Sequence, residues 1–211
     1  MQLIHFATSL RTLPTFRLKW FVGLSFFLLT ISAQAETASV SAGLKLVKQF
    51  ACQSCHTIGE QGGIVGPNLN QVTIRRDKQW LMDWLDDPAA IKQGTLMPRF
   101  DWKPGDREAV IDYLASLATP VDGDAIIAQE GNGEKAGKAL IQAYQCAACH
   151  KVADEQGRMM FPDLTTVKER RTPEWERNWL KDPQAIKPGT FMPNFHLSDD
   201  EIKAITSYLY R

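Results

Sequence analysis

Residues 75–100, RRDKQWLMDWLDDPAAIKQGTLMPRF, return as residues 170–195, RRTPEWERNWLKDPQAIKPGTFMPNF, with 15 of 26 positions identical at an offset of 95. Upstream, Cys52-Gln53-Ser54-Cys55-His56 returns as Cys146-Ala147-Ala148-Cys149-His150 at an offset of 94. The one-residue difference falls between each histidine and the helix that follows, where a loop absorbs it. A unit written twice folds twice, so the chain divides into two equivalent domains, residues 36–118 and 134–211. The joint, residues 119–133, is rich in glycine and acids and poor in large apolar side chains.

Each unit reads as helix, long loop, helix, loop, helix. Residues 44–51 and 136–145 are apolar-periodic and end at the cysteines. Asp77 and Thr172 stand where a side chain caps the central helix, and Pro173 and Glu174 suit its first turn. Trp80 and Trp84 share a face at i, i+4, as do Trp175 and Trp179. Pro88 and Pro183 stop these helices. Ser198-Asp199-Asp200-Glu201 is a capping box that opens the last helix, with Ile202, Ile205 and Leu209 as its core stripe. Val110, Tyr113, Leu114 and Leu117 play that part in the first unit. No strand alternation of useful length appears, so the expected fold class is all-α.

Three short helices in under 90 residues make a small core, and such domains are marginal alone. Something else has to fill the centre of each unit. The cysteine pairs admit four readings. A disulfide across two residues closes a very small loop. A redox dithiol opens a helix in a βαβ unit, and no strands are expected. A zinc site made from both pairs leaves the histidines idle and couples units that look self-sufficient. Covalent haem c attachment uses both cysteines and the histidine of each C-x-x-C-H. One turn puts Cys52 and Cys55, or Cys146 and Cys149, on one face to bond the haem vinyl groups, and His56 or His150 reaches the iron.

With these features the sequence resembles the class I c-type cytochromes, one domain in each half. The resemblance rests on CQSCH and CAACH, on Gly66-Pro67-Asn68-Leu69, and on Thr95-Leu96-Met97-Pro98 with Thr190-Phe191-Met192-Pro193. It implies His56 and His150 as proximal iron ligands and Met97 and Met192 as distal ones. It also implies that the carbonyl of Pro67 or Pro162 holds the histidine ring, and that a central-helix aromatic can reach a haem propionate through its ring nitrogen. The second unit departs from the pattern, because Phe161 replaces the glycine before Pro162; the consequence is expected to stay within that loop. Met97 and Met192 each precede proline, lie 41 and 42 residues after their histidines, and repeat. Met159 and Met160 are the rivals in the second unit. The arginine pairs Arg75-Arg76 and Arg170-Arg171 read as solvated charge, and His196 as a surface residue.

Composition sets the surroundings. With 24 basic and 24 acidic side chains the chain has no global field for nucleic acid. Residues 1–35 carry Arg11, Arg17 and Lys19, then an apolar stretch from Trp20 to Ser32, then Ala33-Gln34-Ala35, the pattern of a signal peptide cleaved after Ala35. The expectation is a periplasmic carrier with two covalently bound haems, not an enzyme, that passes single electrons between a redox donor and acceptor protein, a membrane respiratory complex among the candidates. Two alternatives share the chemistry: an electron-transfer subunit of a larger dehydrogenase or oxidase, and a dihaem redox enzyme with one open haem.

Overall fold

The structure is a computed structural model and describes residues 37–152 and 161–211. The expected signal peptide and the rival methionines Met159 and Met160 lie outside the described residues. Among those residues no helix is long and apolar enough to cross a membrane.

Among the described residues the fold is all-α apart from one two-stranded ribbon and a single bridge residue, Val152. In the first half, α1 covers 37–49, followed by α2 (Val72–Arg75), α3 (Lys78–Asp86), α4 (Pro88–Ile91) and α5 (Asp106–Leu117). A helix α6 (Gly123–Glu130), capped by the Asp122 carboxylate on the Ala125 N–H, occupies the joint. The second half repeats the first as α7 (Glu134–Ala143), α8 (Val167–Arg170), α9 (Pro173–Lys181), α10 (Pro183–Ile186) and α11 (Asp199–Leu209). Strands β1 (Thr57–Ile58) and β2 (Gln61–Gly62) pair antiparallel in the first loop. At two residues each they are too short to show any alternation in the sequence.

The caps follow from side-chain chemistry. The Asp77 carboxylate accepts the Trp80 N–H at 2.7 Å, and Thr172 accepts that of Trp175 at 3.2 Å. Ser198 and Glu201 close the full capping box on α11. Pro88 and Pro183 are both stops and starts: α3 and α9 end just before them, and each proline then sits in the first turn of the next helix, capped by Asp87 or Asp182.

Each half has its own core. Val47, Leu81, Leu85, Val110 and Leu114 are buried in the first, and Leu140, Ile141, Leu180, Ile202 and Ile205 in the second. The first and last helices of each half cross at a glycine. A Cβ on Gly43 would lie 2.0 Å from the Ala109 carbonyl oxygen, and one on Gly137 would lie 2.0 Å from that of Ala204. Only a glycine permits backbones to approach this closely.

Candidate haem sites

Both cysteine motifs are wound by the same backbone device. α1 and α7 run into a residue in the left-handed region, Ala51 or Gln145, each with φ of 51°. That turn re-aims the chain into a 3-10 turn, Cys52–Ser54 or Cys146–Ala148. Residues three apart eclipse in such a turn, so the two thiols of each pair share a side. The His56 N–H closes on the Cys52 carbonyl at 3.0 Å, and the His150 N–H on that of Cys146 at 3.0 Å. Spacing, turn and histidine position are thus one unit of structure.

None of the four cysteines is in a disulfide, and all are half-buried. Among the described residues no group of three or more His, Cys, Asp or Glu converges on a common point, so the two pairs do not meet as a zinc cage. Burial raises the Cys52 thiol and pushes Cys146 up to about 12, so each is held as the neutral thiol in the polypeptide.

The histidine rings are fixed from behind. His56 Nδ1 lies 2.8 Å from the Pro67 carbonyl oxygen, and His150 Nδ1 lies 2.8 Å from that of Pro162. A carbonyl only accepts, so Nδ1 carries the proton and Nε2 carries the lone pair that a metal uses. Burial lowers the pKa of His150, with the bond to Pro162 opposing, which favours the neutral ring. Gly66 lies flat against the imidazole of His56: a Cβ there would stand 2.3 Å from its Cε1. In the second half Phe161 takes that place, with its ring tilted to that of His150 at 6.0 Å.

The loop that presents each proline carbonyl has an anchor that sequence reasoning passed over. Arg75, only 8% exposed, donates to the Asn68 carbonyl next to Pro67, and Arg170 donates to the Asp163 carbonyl next to Pro162. The first arginine of each pair therefore clamps the loop; Arg75 is buried in doing so, whereas Arg170 keeps its solvated position. Its signal was its repetition at one distance from the proline.

Met97 and Met192 pack against the same cores as Cys52 and Cys146, respectively. Their loops are pinned by threonines, with Thr95 Oγ1 accepting the Met97 N–H at 3.3 Å and Thr190 Oγ1 that of Met192 at 3.4 Å. Each sulfur takes a hydrogen bond: Trp84 Nε1 donates to Met97 Sδ at 2.9 Å, and Trp179 Nε1 to Met192 Sδ at 2.8 Å. These are the ring nitrogens that the resemblance offered to a propionate. A thioether sulfur has two lone pairs, so one occupied by Trp leaves the other for a soft metal bond. His196 is exposed.

The residues present fit a haem c in each half. The thiols share a side, the histidine tautomer is set for iron, and a thioether sulfur is held against the same core. Ile64, Val65 and Leu96, in the loops that carry Gly66 and Met97, are 79%, 59% and 86% exposed.

Comparison with known proteins identifies the family. The family model described as cytochrome c matches residues 40–118 and 134–210. Over 99 residues, 41% of this chain, the sequence is 30% identical to cytochrome c oxidase subunit 2 of Alkalihalophilus pseudofirmus. Over 94 residues, 38% of this chain, it is 34% identical to cytochrome c oxidase subunit 2 of Bacillus subtilis. The matches span 29% and 26% of those relatives' own lengths. No solved structure matches the chain.

Proposed function

The chain belongs to the cytochrome c family, whose domains carry covalently bound haem c and transfer electrons, and from that premise we propose that it is an exported, periplasmic dihaem carrier that holds each iron between a histidine and a methionine. The observation that carries the reading is the duplicated donor set. His56 and Met97 in one half, and His150 and Met192 in the other, are each positioned by a hydrogen bond from or to a neighbouring group.

When bound, each haem supplies an Fe(III)/Fe(II) couple. The chain does the rest. Cys52 with Cys55, and Cys146 with Cys149, tether the ring. Pro67 and Pro162 hold the histidines in one tautomer and orientation, so little moves when the charge changes. Trp84 and Trp179 hold the methionine sulfurs, and a thioether favours the reduced metal. A histidine and a methionine held at each site would leave no position on a bound iron open to substrate, which argues for a carrier and against a redox enzyme.

Intact mass of the exported protein tests the reading. The expected mass is that of the chain from Glu36 plus two haems. A mass equal to the bare polypeptide, or haem released by acidic organic solvent, refutes it. The similarity to two oxidase subunits favours one further reading, a permanent electron-transfer subunit of a larger complex. Co-purification of a stoichiometric partner under mild extraction distinguishes it from a free carrier.

A further inference from the structure

Three of the positions at which the two halves differ lie at one contact between them. Ile74 corresponds to Glu169, Gly66 to Phe161, and Leu96 to Phe191. Ile74 packs against the core of the second half. Phe161 stacks on Phe191 at 5.7 Å with 13° between the rings. Phe191 in turn meets Trp80 at 5.6 Å and Trp84 at 5.5 Å, both edge-on and both from the first half. Arg76 lies over Trp80 at 4.2 Å and over Phe191 at 4.9 Å, and donates to the Phe191 carbonyl. Lys92 Nζ lies 5.0 Å from the centre of Phe161. Aromatic rings and arginine are the side chains that protein interfaces favour, and a cation on a ring face adds to their attraction. The consequence of Phe161 therefore extends beyond its own loop.

Their other copies keep the arginine–tryptophan contact but not the cover. Arg171 covers Trp175 at 4.5 Å but is exposed, and Leu96 is 86% exposed. Arg76 is half-buried against the second half where its counterpart Arg171 is exposed, so the repeat supplies its own control at this position.

We propose that this contact is a junction built to pass electrons between the two haem centres, with Trp84 and Phe191 as the bridging pair. The proposal rests on the His/Met dihaem reading above and names the route within it. Trp84 Nε1 is 2.9 Å from Met97 Sδ, its ring system meets Phe191, and Phe191 is joined to Met192 by one peptide bond. Tunnelling falls steeply across empty gaps and less steeply through bonds and close contacts, and this route contains no empty gap. One electron moves: one iron passes from Fe(II) to Fe(III) as the other passes from Fe(III) to Fe(II), with no bond made or broken and no proton transferred. Arg76 and Lys92 hold the faces together and are positioning residues.

The test is inter-haem electron transfer after rapid photoreduction of the haem-loaded full chain, with small-angle scattering on the same samples. Phe191→Leu installs the first half's own residue. It is expected to slow inter-haem transfer several-fold while leaving both midpoint potentials and the haem content unchanged. Arg76→Ala is expected to slow transfer and to enlarge the particle, and Arg171→Ala, at its exposed counterpart, to change neither. Wild-type transfer rates in both Phe191→Leu and Arg76→Ala overturn the proposal. A wild-type protein that lacks a second haem, or whose haems lack methionine ligation, refutes the dihaem reading instead, and haem content and spectra show that before any rate is measured.

Discussion

Trp84 Nε1 donates to Met97 Sδ at 2.9 Å, and the pair recurs as Trp179 and Met192 at 2.8 Å. The donor draws electron density from the sulfur and so weakens its support of the oxidised metal more than of the reduced one. Trp84→Phe keeps the ring and removes the N–H. It is expected to lower the first haem's midpoint potential by some tens of millivolts, the electrical equivalent of a hydrogen bond contributing about 1 kcal/mol. Trp179→Phe should act on the second haem alone. Spectroelectrochemical titration resolves the two; an unchanged potential in both variants would mean that neither indole bonds the ligand sulfur in the loaded protein.

Gly66 and Phe161 make opposite predictions at equivalent positions. Gly66→Ala places a methyl group 2.3 Å from His56 Cε1 and 2.5 Å from Nδ1, so the ring has to leave its place on the Pro67 carbonyl. Haem content is expected to fall toward half, with the first site the one lost. Phe161→Ala should leave haem content intact. Haem-to-protein ratios by alkaline pyridine spectra decide the matter.

The helix crossings set a stability prediction. Gly137→Ala drives a Cβ to 2.0 Å from the Ala204 carbonyl oxygen, which is backbone and has no room to yield. The second domain is expected to lose about 1–3 kcal/mol, the usual range for overpacking a close contact. Denaturant unfolding followed by far-UV circular dichroism reads it. The same substitution at the half-buried Gly133, where nothing lies within reach of a Cβ, is the control and should cost far less.

Glu176 stands where the first half has the core residue Leu81, and the two are 3% and 4% exposed. Burial pushes its pKa from 4.5 up to about 7, with Arg171 and Arg170 opposing. The folded state therefore holds the proton more tightly than the unfolded chain. The stabilisation this gives is complete below the ordinary value and is lost as pH rises through about 7. The stability difference between wild type and Glu176→Gln should accordingly change between those two pH values, with wild type losing ground as pH rises. Glu176→Leu, the repeat's own solution, should stabilise the second domain at pH 7 by about 1.5–3 kcal/mol, the worth of a buried leucine. A flat difference across that window would show that Glu176 reaches water in the loaded protein.

What could be read before folding was what depends on short spacings. The caps Asp77, Thr172 and Ser198–Glu201 are decided within four residues, and the structure has each of them. Pro88 and Pro183 were legible as stops, but their second part, as the first turn of α4 and α10, depends on the Asp87 and Asp182 carboxylates turning back on the next amides. The ribbon of Thr57–Ile58 with Gln61–Gly62 has no periodic signature. Helix α6 lies in a stretch whose glycines and acids speak for a joint, and it is held by the Asp122 cap and by packing on α7 and α11. The junction between the halves was hidden for a different reason. The repeat was found from identities, whereas the junction is written in the differences, at Ile74, Phe161 and Phe191. Only the folded chain brings those three together.

The central claim is that both iron sites are closed by methionine sulfur. The far-red sulfur-to-iron charge-transfer band of the fully oxidised, exported protein, quantified against total haem by magnetic circular dichroism, tests it most directly. The account predicts the full band intensity of two methionine-ligated haems per chain, with Met97→Ala and Met192→Ala each removing half of it. Intensity for one haem or none in the wild type, or rapid carbon monoxide binding by one reduced haem, would contradict the account and leave a site open for chemistry.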